Sequence, residues 1–290
     1  MTAQQRGRSA HLVIKLLEEP KIVTSIDTGF KSLFNLASLS DEEIWTSGND
    51  NAIKLFNMKE RFLINSIRTK SGKMPWDIAV TQNGELVYSD INERSLNLAK
   101  NSKIKEVIKL KTWEPRDICS TAAGHLLVML MRIDGRQSKV VRYHGSEEKQ
   151  SIQFDDDGNS LYSTEGYRYI NENRNLDICV TDSGVRVVVV VNQAGKLRYR
   201  YMGNDPLLKQ NPFDPRGIAS DNQSNILIAD FNNHCIHLID QDGQFLRYIK
   251  CGLDSPWGLC ADKNGNLFVA QSKKRQVTKI KYLEFITNYY

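Results

Sequence analysis

Apolar residues along this chain come in short runs, each following a polar turn. Ile44-Trp45-Thr46 follows Glu42, Leu86-Val87-Tyr88 follows Gly84, and Leu126-Leu127-Val128 follows Gly124. Val187-Val188-Val189 follows Gly184, Ile226-Leu227-Ile228 follows Ser224, and Leu267-Phe268-Val269 follows Gly265. Such runs are too short for helices and are rich in β-branched and aromatic residues, so they predict strands. Asn83-Gly84, Asp134-Gly135, Asp157-Gly158, Asp242-Gly243 and Asn264-Gly265 supply the residues that tight hairpins need.

A second phrase precedes each run: Leu33-Phe34-Asn35, Pro75-Trp76-Asp77, Pro115-Arg116-Asp117, Asn175-Leu176-Asp177, Pro215-Arg216-Gly217 and Pro256-Trp257-Gly258. Its middle residues, 34, 76, 116, 176, 216 and 257, are 42, 40, 60, 40 and 41 residues apart. A strand-rich period near forty predicts a propeller. The fold read here is all-β: a six-bladed β-propeller of four-stranded antiparallel blades. The expected blades are 28–67, 68–110, 111–170, 171–209, 210–250 and 251–282. The last lacks an outermost strand, and residues 20–27 look like an outermost strand with no blade before them. Ile22–Ile26 is therefore expected to close the ring and remove its open edge. Residues 1–19 are read as a leader or linker and 283–290 as a tail. The third blade is about twenty residues too long, and the surplus is expected to form an extra hairpin around Asp155–Asn159.

Composition adds bounds. In 290 residues, 40% are hydrophobic, enough for a real core. No run approaches a membrane span, and the basic start, Met1 to Arg8, is no secretory signal. The net charge of +5 permits an anionic partner without requiring one. Five cysteines lack metal spacing; Cys119, Cys179 and Cys260 are read as one repeat position inside the core. Free thiols, no disulfides, no membrane association and a cytoplasmic location are expected.

Loops entering the innermost strands gather at one end of a propeller axis. They place Phe34, Trp76, Arg116, Arg216 and Trp257 on one rim, with Lys31 and Lys73 just ahead. Aromatic faces and guanidinium groups suit either a protein partner or the bases and phosphates of single-stranded RNA. Packing against neighbouring blades is the other role for these rings, and a solvated surface the other role for the lysines. Asp77, Asp117 and Asp177 are expected at the channel mouth, where three carboxylates hold a cation or, more simply, cap amides of adjacent blades. Asp155-Asp156-Asp157-Gly158-Asn159 lacks the downstream Glu of a calcium loop. His234 and Cys235 are neighbours on a strand and point to opposite faces, so no metal or cofactor is expected. No nucleophile elbow, phosphate loop or metal-protease motif is present, so no enzymatic activity is expected.

Asn225-Ile226-Leu227-Ile228-Ala229-Asp230-Phe231-Asn232-Asn233-His234-Cys235-Ile236, followed by Asp242-Gly243, resembles the NHL repeat, as does Asp90-Ile91-Asn92-Glu93-Arg94. The resemblance covers residues 28 to 282, strongest in blades two, five and six. The pattern is similar to the C-terminal propeller of tripartite-motif proteins. That resemblance implies a non-catalytic module that binds a protein partner as the substrate-recognition part of a ubiquitin ligase, or alternatively one that binds single-stranded RNA. The RING, B-box and coiled-coil domains of that family have no counterpart in this chain. A WD-repeat propeller is the rival, but Trp76-Asp77 stands at the wrong place in its unit.

Overall fold

The computed structural model describes residues 10–100, 103–204, 211–262 and 264–289, which form twenty-four strands and no helix. β1 (Ala10–Asp27) comes first. Blade one is β2 (Leu33–Ser38), β3 (Glu43–Gly48), β4 (Ala52–Asn57) and β5 (Phe62–Arg68). Blade two is β6 (Ile78–Val80), β7 (Leu86–Asp90), β8 (Ser95–Lys100) and β9 (Lys103–Lys109). Blade three is β10 (Trp113–Ser120), β11 (Leu126–Arg132), β12 (Ser138–His144) and β13 (Glu147–Ile152). Blade four is β14 (Arg168–Glu172), β15 (Ile178–Asp182), β16 (Val187–Val191) and β17 (Leu197–Tyr201). Blade five is β18 (Pro215–Ser220), β19 (Ile226–Asp230), β20 (Cys235–Ile239) and β21 (Phe245–Ile249). Blade six is β22 (Pro256–Ala261), β23 (Asn266–Gln271) and β24 (Gln276–Tyr289), completed by β1.

The predicted six-bladed ring is the observed one. The second strands β7 and β19 and the third strand β16 are buried on both faces, which is why they read as unbroken apolar runs. The core lies between blades: Val87 and Leu96 of blade two pack with Ile118, Val128 and Val141 of blade three. Closure also follows the expectation, with Ile26 opposite Val277 and Ser25 opposite Thr278. The ladder continues past the expected bounds, to Leu16↔Leu283 and Ala10↔Tyr289, so these stretches extend blade six.

Blade four departs from the sequence reading by one strand. Asn175-Leu176-Asp177 is not the start of an innermost strand but the turn between β14 and β15. Leu176 has φ 64° and donates its amide to Asn173 O at 3.0 Å. It thus fills the left-handed turn position held by Gly84 (φ 75°) and Gly124 (φ 76°) in blades two and three. A leucine there hides the turn. The innermost strand is Arg168–Glu172, and Cys179 lies in the second strand, not in register with Cys119 and Cys260. The surplus of blade three is residues 153–167, after β13. Its acidic stretch is a hairpin-like turn, with a Phe154↔Ser160 bridge and Asp155 N donating to Asn159 O at 2.9 Å.

Candidate functional site

The innermost strands begin at one mouth of the channel, most of them after a bulge: between Leu33 and Asn35, Pro115 and Ile118, Pro215 and Ile218, and Pro256 and Leu259. Proline suits this position, where a ladder hydrogen bond is already lost. The bulge turns the next side chain towards the axis. Ser89 of the second strand satisfies the freed amide of Asp77 (3.0 Å), and Thr181 does the same for Tyr169 (2.9 Å).

The structure brings Phe34, Trp76 and Trp257 together and adds Tyr167, from the blade three surplus, and Phe231. Tyr167 lies parallel to Trp76 (6.1 Å, 19°) and edge-on to Trp257 (5.0 Å, 77°); Phe34 and Phe231 flank Trp257 at 5.1 and 5.4 Å. Arg116 lies 4.2 Å over Trp76, and Arg216 lies 4.6 Å from both Tyr167 and Trp257. Each guanidinium also binds a carboxylate two residues earlier, Arg116–Glu114 at 2.6 Å and Arg216–Asp214 at 2.8 Å. Lys31 and Lys73 remain exposed on their loops.

Tyr169 spans the mouth below these rings. Its hydroxyl accepts the Trp257 indole N–H at 2.5 Å and donates to Asn35 Oδ1 at 2.9 Å, while Asn35 Nδ2 donates to Trp76 O at 2.7 Å. Above Tyr169 is a cavity of about 90 Å³ walled by Phe34, Met74, Trp76, Tyr167 and Trp257, with Asn35 and Asp117 at its base. Below it lies the axial channel, about 150 Å³, lined by Asp77, Ala79, Cys119, Asn171, Ile218 and Cys260 among others.

The three predicted carboxylates separate. Asp77 and Asp117 are buried at the mouth. Asp177 is corrected: it sits in the β14–β15 turn, at the opposite end of the innermost strand, held by Arg198 at 2.5 Å. Asp77 Oδ2 accepts the Ile118 amide of the next blade at 2.9 Å, yet burial pushes its carboxyl up to about 7. Burial, and next the charge of Asp77, push Asp117 well up as well; Arg168, Arg116 and the Trp76 indole act the other way. Asp117 is only 3% exposed, and its Oδ2 has no hydrogen-bond partner.

Away from the mouth, Asp230, Cys235 and His237 bring their ligand atoms within 4.8 Å of one another, all buried. The sequence sets Cys235 beside His234; the structure instead joins it to His237 and to Asp230, which ends the preceding strand. The His237 ring lies between the Tyr201 hydroxyl of blade four (2.8 Å) and Asp230 Oδ2 of its own blade (3.1 Å), so hydrogen bonding within and between blades accounts for the cluster. All five cysteines are free, and burial pushes the Cys119 thiol up to about 12.

The NHL repeat profile matches residues 214–237, in blade five. No curated protein sequence matches the chain. Similar solved structures include regucalcin, a calcium-binding protein from Agrobacterium tumefaciens (9% identity, 90% of this chain and 94% of that one, TM-score 0.68). They also include a putative gluconolactonase (14%, 93% and 92%, TM-score 0.66) and virginiamycin B lyase from Staphylococcus aureus (12%, 94% and 99%, TM-score 0.59). At these identities the likeness establishes the fold alone. It nevertheless corrects the expectation of no enzymatic activity. The expectation rested on missing linear motifs, and propellers with this architecture include a lyase.

Proposed function

We propose that the chain is a recognition propeller whose aromatic mouth takes one anchoring side chain of a protein partner. The observation that supports this reading is the cavity itself: a pocket of side-chain size, walled by Trp and Tyr on a rigid ring, as anchor pockets at protein interfaces are. Arg116 and Arg216 are engaged with Glu114, Asp214 and the aromatic faces, which leaves them poorly placed to neutralise phosphates. That favours protein over single-stranded RNA. The tripartite-motif resemblance extends the proposal to recognition of a ubiquitination substrate.

The test is selection of displayed random peptides on the wild-type chain and on a Trp76→Ala/Arg216→Ala variant, with a random single-stranded RNA pool run in parallel at low and high salt. Peptides that bind the wild type and lose at least about tenfold in the variant support the proposal. Salt-sensitive RNA retention with no selected peptide replaces it with the RNA reading.

A second reading, acid–base chemistry in the channel just below the aromatic pocket, draws on Asp77, whose carboxyl is pushed up to about 7, where a side chain both gives and takes protons. Incubation with quinupristin, the ligand in a virginiamycin B lyase structure, followed by mass spectrometry tests it. An Asp77-dependent product supports this reading, and an unchanged ligand removes the lyase form of it.

A further inference from the structure

The mouth carries a chemical preference beyond its shape. Its walls are aromatic rings, which attract cations through their quadrupoles, as Arg116 over Trp76 and Arg216 over Tyr167 and Trp257 already do. Its base carries Asp117, almost wholly buried and with one carboxylate oxygen unpartnered. A buried acceptor without a partner is costly, and a ligand that supplies a donor recovers that cost.

The surrounding charges are largely spent on one another. Arg116 pairs with Glu114 and Arg216 with Asp214. Arg168, the remaining cation near Asp117, donates to the carbonyls of Ser163 (3.0 Å) and Glu165 (2.9 Å). Asp117 at the base of the pocket and Asp77 in the channel just below it together thus exceed Arg168 by one negative charge. In the free protein that excess is met by a proton, since burial favours the neutral acid.

Resting on the recognition reading above, we infer that this pocket binds an alkylammonium group, the end of a lysine side chain of the partner, between the aromatic walls and Asp117. The ammonium replaces the proton and completes the hydrogen bonding of the carboxylate. The walls hold the methylene stem, and about 90 Å³ admits one such side-chain end.

The experiment titrates the full chain with n-butylammonium and, as neutral counterpart, 1-butanol, reading tryptophan fluorescence from Trp76 and Trp257. Calorimetry in two buffers of different ionisation enthalpy counts protons released. Expected are saturable binding of the ammonium, at least about tenfold weaker binding of the alcohol, proton release on binding, and loss of the ammonium preference in Asp117→Asn. Equal binding of ammonium and alcohol to the wild type overturns the inference without reference to any variant, so a folding defect in Asp117→Asn cannot rescue it. The peptides selected on the wild type separate the two failures. A shared lysine supports the inference. Selected peptides without one overturn it and leave protein recognition standing, while no selected peptide removes both.

Discussion

Tyr169 of blade four and Trp257 of blade six, 88 residues apart, meet at the channel mouth through an indole-to-phenol hydrogen bond of 2.5 Å. Because the same phenol donates to Asn35 of blade one, a single hydroxyl ties three blades and separates the aromatic pocket from the channel below. Removing it by Tyr169→Phe strands a buried amide oxygen and an indole N–H. The expected loss is about 1–3 kcal/mol, read by urea denaturation. A change below about 0.5 kcal/mol would show that water satisfies both groups.

Asp77 sets a pH dependence. Its folded pKa, about 7, lies above the ~3.9 of an unfolded chain, so the folded state holds the proton more tightly. The contribution of this group is therefore fully present below about pH 4 and lost as pH rises through about 7. Asp117, Asp214 and Asp221 are also raised and share the sign, so the informative quantity is a difference. Asp77→Asn keeps an acceptor for the Ile118 amide and should gain stability relative to wild type between pH 5 and 8. Parallel stability–pH curves would refute the shift.

Gly217 and Gly258 stand where blades two and three carry Asp77 and Asp117. A Cβ on Gly258 would lie 2.3 Å from Phe34 O, and one on Gly217 would lie 2.3 Å from Trp257 O. Both clashes are with backbone, which cannot rotate away. Gly258→Ala is expected to cost about 3 kcal/mol or more and to disturb the Phe34–Trp257 contact, visible as a shift in tryptophan emission. A normal melting temperature would mean that blades six and one separate more easily than the geometry implies.

Closure of the ring rests on the inward side chains of β1. Ile26 is buried with Val277 and Phe268, whereas Val23 is more than half exposed. Ile26→Ala should cost about 2–5 kcal/mol, and Val23→Ala no more than about 0.5 kcal/mol. Equal effects in thermal unfolding would indicate that the β1 backbone ladder, rather than its packing, holds the ring shut.

Much of this architecture was legible because a blade is a local object. Turn glycines, apolar second strands and a period near forty follow from hairpin chemistry within each repeat, and the unpaired strand at residues 22–26 followed from counting. The misreading of blade four also has a local cause: Leu176 occupies a left-handed turn position that blades two and three give to glycine, and the phrase Leu-Asp-Ile-Cys imitates an innermost strand. The true strand, Arg168–Glu172, lacks the proline mark.

The sequence by itself determined the repeat, the six blades, the overlap that closes them and five of the aromatic and arginine residues at the mouth, because each depends on periodicity and on which end of a strand a residue occupies. Tertiary structure alone decided the site. Tyr167 enters from an irregular insertion, Tyr169 through a shifted register, and Asp177 leaves for the opposite face. Which arginines are spent on carboxylates, and which carboxylate is left without a partner, depends on side chains from different blades meeting at the axis. No period along the chain encodes that convergence.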